Sequence, residues 1–197
     1  MRALIVVAHP VRGSFCTALA DAVGAGVQAA GGQVDLCNLG AEGFQPVMQP
    51  QDMGQFMGED PPEDIEAHMA RVEAAQALVF VFPVWWWSVP AVLKGWFDRT
   101  LRVNWAWSDE VTHPLALAGK SVRMLATTAD SPQGFADGGA ETALRQQLCR
   151  GVWGFCGVKD TWLGIMHDLH GATPTELRAQ YLQHARKLGE DLASVRR

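Results

Sequence analysis

The chain has 197 residues, 48% of them hydrophobic and 19% charged, and carries a formal net charge of −5. These values fit one ordinary folded domain with a sizeable core and exclude an extended disordered chain. The acidic balance, with no dense Lys/Arg cluster, argues against a nucleic-acid-binding face; the one basic run, Arg196–Arg197, reads as a solvated tail.

Residues 2–8 (RALIVVA) form a near-continuous apolar run, as expected of a strand buried on both faces of a parallel sheet. Ser14 can cap the helix that follows, with Ala18, Leu19, Ala22, Val23 and Val27 as its apolar stripe. Gly31-Gly32 ends that helix, and residues 33–39 read as a second strand. Residues 40–62, rich in Gly, Pro, Gln and Met, read as a long irregular connection of the kind that is usually functional or mobile. Within it Met48, Met53 and Met57 suit either a cap over an apolar slot or simple gap filling. A helix over 63–74 leads into a third strand at 77–82.

Pro90 then suits the first turn of a helix reaching about Leu101, with Val89, Val92, Leu93, Trp96 and Phe97 facing the core. Lys94 and Asp98, at i and i+4, read as a solvated pair. A fourth strand covers 121–127, and 129–139 (ADSPQGFADGG) is a loop by composition. A helix at 140–151 precedes a fifth strand at 158–165. The last helix opens with Thr173 at N-cap, Pro174 at N1 and Glu176 at N3, and runs to about Ala193.

Five strands alternating with helices imply βαβ units and a parallel sheet with helices on both faces. A doubly wound, flavodoxin-like α/β sheet of order 2-1-3-4-5 fits this count. Its ligand then lies beyond the carboxyl ends of strands one, three and four. That rule selects AHPVRGSFC (8–16), PVWWWSVP (83–90) and TTADSPQGF (127–135). In the first, a serine-capped helix start offers free N–H groups and a favourable dipole to a phosphate, with Arg12, Ser14, Thr17 and His9 close by. The same cap is equally what helix stability alone requires. Neither GxGxxG nor GxxxxGK[ST] is present, which argues against an ordinary dinucleotide site or a P-loop.

Eight tryptophans stand against one tyrosine. Trp85, Trp86, Trp87, Trp96, Trp105 and Trp107 cluster in one short stretch, which points to a local surface or pocket. Neighbours in a strand face opposite sides, so the triplet belongs to a loop. On the residues alone it fits a core plug or an interface as well as a ligand wall. Trp96 falls at helical spacing and belongs to the core. Trp105 and Trp107 alternate as an extended segment would, suiting a pocket lid or a contact between copies. Cys16, Cys37, Cys149 and Cys156 show no metal spacing and read as buried free thiols of a reducing compartment. His113, His167 and His170 have no assigned role, and no metal site is expected. With no run near ~20 apolar residues and an N-terminal run too short for a signal sequence, a cytoplasmic protein is expected.

Three segments in order, AHP…SF, FPVWWWSVPAVLKGWFDR and TT after strand four, resemble the flavodoxin-like NAD(P)H:quinone oxidoreductases. That family includes DT-diaphorase-type reductases, bacterial modulators of drug activity and ancillary subunits of potassium-efflux systems. The resemblance runs from about Ala3 to Leu182 and implies a bound flavin. His9, Ser14, Phe15 and Cys16 would cradle its phosphates, and Pro83, Val84, Trp85, Trp86 and Trp87 would line the isoalloxazine. Thr127, Thr128, Ala129 and Asp130 would edge the ring from the other side. GATPTELR resembles the segment that brings an arginine, here Arg178, near an adenine, so FAD is expected, with FMN the alternative. NAD(P)H is the implied co-substrate, a quinone the acceptor and a homodimer the assembly, with Trp105, Trp107 and Phe135 in the substrate pocket. The flavin carries the chemistry, so no catalytic side chain is implied. Departures from the family pattern are Cys16 in place of asparagine, TTAD in place of TTGG, and Phe135 where a tyrosine assists proton relay. The alternative is a regulatory or electron-carrying flavoprotein, such as an efflux-system subunit, with little turnover. A flavin-free binding domain is the third possibility.

Overall fold

A computed structural model describes residues 1–109 and 115–194; His113 and the Arg196–Arg197 tail lie outside the described residues. Strands β1 (Arg2–Val7), β2 (Gln33–Asn38), β3 (Ala77–Pro83), β4 (Ser121–Thr127) and β5 (Asp160–Met166) pair in parallel in the order β2-β1-β3-β4-β5. This is the expected doubly wound order. The helices are α1 (Phe15–Ala29), α2 (Glu63–Ala74), α3 (Ala91–Thr100), α4 (Pro132–Asp137), α5 (Ala140–Leu144) and α6 (Thr175–Ser194).

The near-continuous apolar strands are explained by two cores, one on each face, because successive side chains alternate across a sheet. Leu4, Val6, Leu78, Phe80, Phe82 and Met124 face α2, α3 and the helical segment that follows α5. Ala3, Ile5, Val7, Val79, Val81 and Leu125 face α1 and α6. On the first face Trp96 is fully buried, as its helical spacing required, and packs with Phe80 and Phe97 beside Trp153. On the second face α1 and α6 touch backbone to backbone. A Cβ on Gly26 would stand 1.9 Å from the Arg186 carbonyl oxygen, and one on Gly189 2.1 Å from that of Val23.

Several expected boundaries shift, each for a local reason. The connection 40–62 contains a 3-10 helix, Pro50–Met57, closed by Asp52 accepting the Gln49 N–H at 2.7 Å. The loop 129–139 contains α4, whose start is capped by Ser131 accepting the Gly134 N–H at 3.1 Å. The helix after Gly139 runs on from α5 as a π-helix, Arg145–Gly154, so Cys156 falls beyond its end, and Cys149 is half-buried rather than buried. Strand β5 starts two residues later than expected. The final helix begins at Thr175, not at Pro174. The Thr173 hydroxyl accepts the His170 N–H at 2.7 Å, ordering the preceding turn rather than capping the helix.

One buried imidazole gives the fold a pH dependence. His68 Nδ1 accepts the Trp96 indole N–H at 3.3 Å, which requires that nitrogen to be unprotonated. Burial, then the Arg71 charge, lowers the His68 pKa from its ordinary 6.5, against the opposing pull of Glu42 and Asp64. Below that value the unfolded chain binds a proton that the folded protein refuses. The stabilisation is therefore complete above about pH 6.5 and is lost as pH falls towards the folded pKa, by at most about 1.4 kcal/mol per pH unit. His68→Gln is expected to flatten urea-melt stability across this range; an unchanged slope would contradict the assignment.

Candidate functional site

The carboxyl ends of β1, β3 and β4 open on a cavity of about 330 Å³, within the usual range for small-molecule sites. It is lined by His9, Phe15, Cys16, Pro83, Val84, Trp85, Thr127, Thr128, Ala129, Leu169 and Arg178. None of these is acidic. The loops after β1, β3 and β4 thus meet where the strand order reverses, joined by Leu169 after β5 and Arg178 of α6.

At one side stands the start of α1. Ser14 is its N-cap, with Oγ accepting the Thr17 N–H at 3.3 Å, and it stands beside the cavity without lining it. The N–H groups of Phe15 and Cys16 sit in the first turn, where a helix provides no carbonyl partners and favours an anion. His9 Nδ1 accepts the Val11 N–H at 3.0 Å, which leaves Nε2 as the ring's donor at neutral charge. Cys16 Sγ lies 3.4 Å from Thr127 Oγ1. Burial pushes the Cys16 thiol up from its ordinary pKa of 9.0, so it presents no negative charge to a phosphate. Arg178 stacks over Phe15, 5.3 Å from the ring centroid, and donates to the His170 carbonyl at 3.0 Å.

The tryptophan triplet follows β3, and of its three residues Trp85 lines the cavity, its ring centroid 6.1 Å from that of His9. Trp85 and Ser88 exchange both backbone hydrogen bonds, each 3.0 Å, so residues 85–88 form a tight hairpin turn. Its central residues, Trp86 and Trp87, have φ of 50° and 56°. Two positive φ values are the pattern of a type I′ turn, which normally holds Asn-Gly. Bulky residues there cost roughly 1–2 kcal/mol each. Trp86 is 99% exposed, Trp85 45% and Trp87 54%, so the strain is not repaid by burial of the indoles. Backbone conformations of this kind cluster at functional sites.

Ten of the fourteen residues expected at the cofactor line this one cavity: His9, Phe15, Cys16, Pro83, Val84, Trp85, Thr127, Thr128, Ala129 and Arg178. Ser14, Trp86, Trp87 and Asp130 flank it. Asp130 Oδ1 accepts the Ser131 N–H at 3.0 Å. Of the expected substrate-pocket residues, Phe135 is buried edge-on against His167, with centroids 5.4 Å apart, and does not line the cavity. Trp105 and Trp107 are not extended. Residues 103–107 turn back on themselves, Asn104 N–H donating to Trp107 O at 2.7 Å, so the two indoles diverge. Trp105 Nε1 donates to Glu73 on α2 at 2.6 Å, away from the cavity. Trp107 packs on Phe155 and lines a second, more apolar hollow of about 450 Å³ with Met48, Met53, Phe56 and Phe97. That hollow lies on the outer side of α3, where Lys94 and Asp98 pair with each other at 2.5 Å.

Leu169 was missed. It reaches the cavity because residues 167–169 extend β5 along the loop after β4, Leu169 N–H donating to Thr128 O and Asp168 N–H to Asp130 O. Applying the strand-end rule to β5 as well would have found it. Among the described residues, no His/Cys/Asp/Glu group of three or more could hold a metal ion, and no helix is long and apolar enough to cross a membrane.

A parallel sheet of order β2-β1-β3-β4-β5, with a cavity at its switch point beside a helix start, is the flavodoxin-like arrangement. The flavodoxin-like fold family matches residues 1–188. The chain is 28% identical to an NAD(P)H oxidoreductase of Haemophilus influenzae, named as uncharacterized, over 86% of this chain and 85% of that one. It is 29% identical to NAD(P)H dehydrogenase (quinone) 1 of Rattus norvegicus, over 94% of this chain and 75% of that one. The solved NAD(P)H:quinone oxidoreductase of Methanothermobacter marburgensis superposes with a TM-score of 0.89 at 26% identity, covering 98% of both chains. The chain belongs to the flavodoxin-like NAD(P)H:quinone oxidoreductase family.

Proposed function

We propose that this protein is an NAD(P)H-dependent flavin oxidoreductase that passes two electrons to a quinone or similar acceptor. The observation that carries this reading is the cavity at the switch point, where the first turn of α1 and the strained tryptophan turn after β3 come together. The donor set fits a flavin: an anion cradle at one end, a flat aromatic and backbone-lined wall at the other. When bound, a flavin supplies hydride acceptance from a nicotinamide and electron delivery to the quinone. The chain's own residues bind, orient and exclude water. His9 Nε2–H and the first turn of α1 would hold phosphate, and the N–H groups of residues 86 and 87 would be offered to the polar edge of the ring, those of Val84 and Trp85 being bonded to the Thr127 and Ser88 carbonyls. Thr127, Thr128, Ala129 and Asp130 bound it from the far side. Phe135 has no hydroxyl and supplies no proton, so no relay through this position is invoked.

FAD is the preferred form, because the Arg178 guanidinium on the Phe15 ring offers a planar cationic face at the outer end of the cavity. The exposed Met53, Phe56, Met57 and Phe155 around the second hollow suit burial by a second copy, giving a homodimer. Four free cysteines fit the cytoplasm. Steady-state oxidation of NADH and NADPH with a soluble quinone tests the reading. Parallel double-reciprocal lines are expected, since donor and acceptor share one slot in turn. No oxidation of either donor by flavin-loaded protein would instead indicate an electron carrier or a regulatory subunit.

A further inference from the structure

We infer that Gly138 and Gln147, at the α4–α5 junction and on the helix beyond it, are positioning residues that clamp the strained tryptophan turn. The turn's central residues lie in a backbone region that persists only when the surroundings impose it. Trp86 is 99% exposed and imposes nothing. Among the described residues the turn is held by the Trp85–Ser88 bridge, by the Trp85 ring beside His9 with centroids 6.1 Å apart, and by two contacts with this junction and the helix beyond it. The Trp87 indole lies against Gly138: a Cβ there would stand 3.0 Å from Trp87 Cζ2 and 3.4 Å from Cη2. The Ser88 hydroxyl donates to Gln147 Oε1 at 3.3 Å.

The glycine itself supports this reading. Gly138 has φ −69° and ψ −11°, a conformation any residue adopts, so the backbone does not require glycine. What glycine supplies is room for an indole ring. The contact fixes Trp87 from the side-chain end while the bridge fixes it from the backbone, and together they set where the N–H groups of residues 86 and 87 point. The consequence for cofactor affinity rests on the flavin reading above; the clamp does not.

Gly138→Ala is the direct test, because alanine fits the φ and ψ of this position and its methyl group would press most closely on the indole, at 3.0 Å, and next on the Gly134 carbonyl oxygen, at 3.2 Å; the Trp87→Phe background separates the two. Hydrogen exchange at the Trp85 and Ser88 amides is expected to quicken about tenfold or more in the flavin-free variant. In the same variant the Kd for added FAD or FMN is expected to rise about fivefold or more, with an altered visible band of the bound flavin. Trp87→Phe removes the ring atoms that the new methyl group meets. The Gly138→Ala/Trp87→Phe double variant is therefore expected to return to within about twofold of Trp87→Phe alone. Gln147→Ala should quicken the same two amides. Unchanged exchange in Gly138→Ala, or strictly additive effects in the double variant, would overturn the clamp. If no flavin binds even the unsubstituted protein, the functional reading fails, and amide exchange still decides the clamp.

Discussion

Replacing Arg99 by alanine is expected to lower the unfolding free energy by about 3–5 kcal/mol. The Arg99 side chain is 2% exposed, and its Nε meets Asp52 Oδ2 at 2.9 Å, a carboxylate that is fully buried. Its Nη1 also donates to the Gln45 carbonyl at 2.8 Å and meets Asp64 at 2.7 Å. The other oxygen of Asp52 is buried without a protein partner, so alanine at 99 would leave that carboxylate with little beyond the Gln49 N–H. An unpaired buried charge is far costlier than a broken surface pair. Asp64 is half exposed, so Asp64→Ala should cost less than about 1 kcal/mol. Urea unfolding of the two variants separates the cases. Equal losses, or a loss under about 1 kcal/mol for Arg99→Ala, would contradict the latch.

The second large effect has the opposite sign. Trp86→Asn is expected to raise the stability of the flavin-free protein by about 1 kcal/mol, because asparagine tolerates a positive φ and the indole leaves no contact behind. The same change is expected to weaken flavin or acceptor binding, since the proposed function sets this exposed indole, which flanks the cavity, beside the bound ring. Paired urea melts and flavin titrations would show both. Lower stability with unchanged binding would mean that Trp86 serves the fold, and the functional reading of the turn would be lost.

The strand order and the place of the cavity were legible because they follow from apolar runs, helix spacing and the strand-end rule. The triplet was legible as a loop, since neighbouring indoles cannot share one strand face. Its turn type was not, because a Trp-Trp pair carries none of the asparagine–glycine chemistry that announces a type I′ turn. Helix α4 was present in the sequence as Ser131-Pro132, an N-cap and N1 pair, but the surrounding glycines outweighed it. The π-helix after α5 leaves no distinctive spacing to read. The Arg99–Asp52 latch joins residues 47 apart in the chain, so no local pattern records it. Trp105 and Trp107 misled because their alternation belongs to a turn, where spacing of two has no facing rule.

The most direct test of the whole account is an anaerobic titration of the flavin-loaded protein. The protein is saturated with FAD, freed of excess cofactor, and reduced with NADH or NADPH before a soluble quinone is added. Complete bleaching of the visible flavin band by one nicotinamide per site is expected, then full recovery on adding the quinone alone. A protein that retains no flavin, or whose bound flavin neither nicotinamide bleaches, would contradict it.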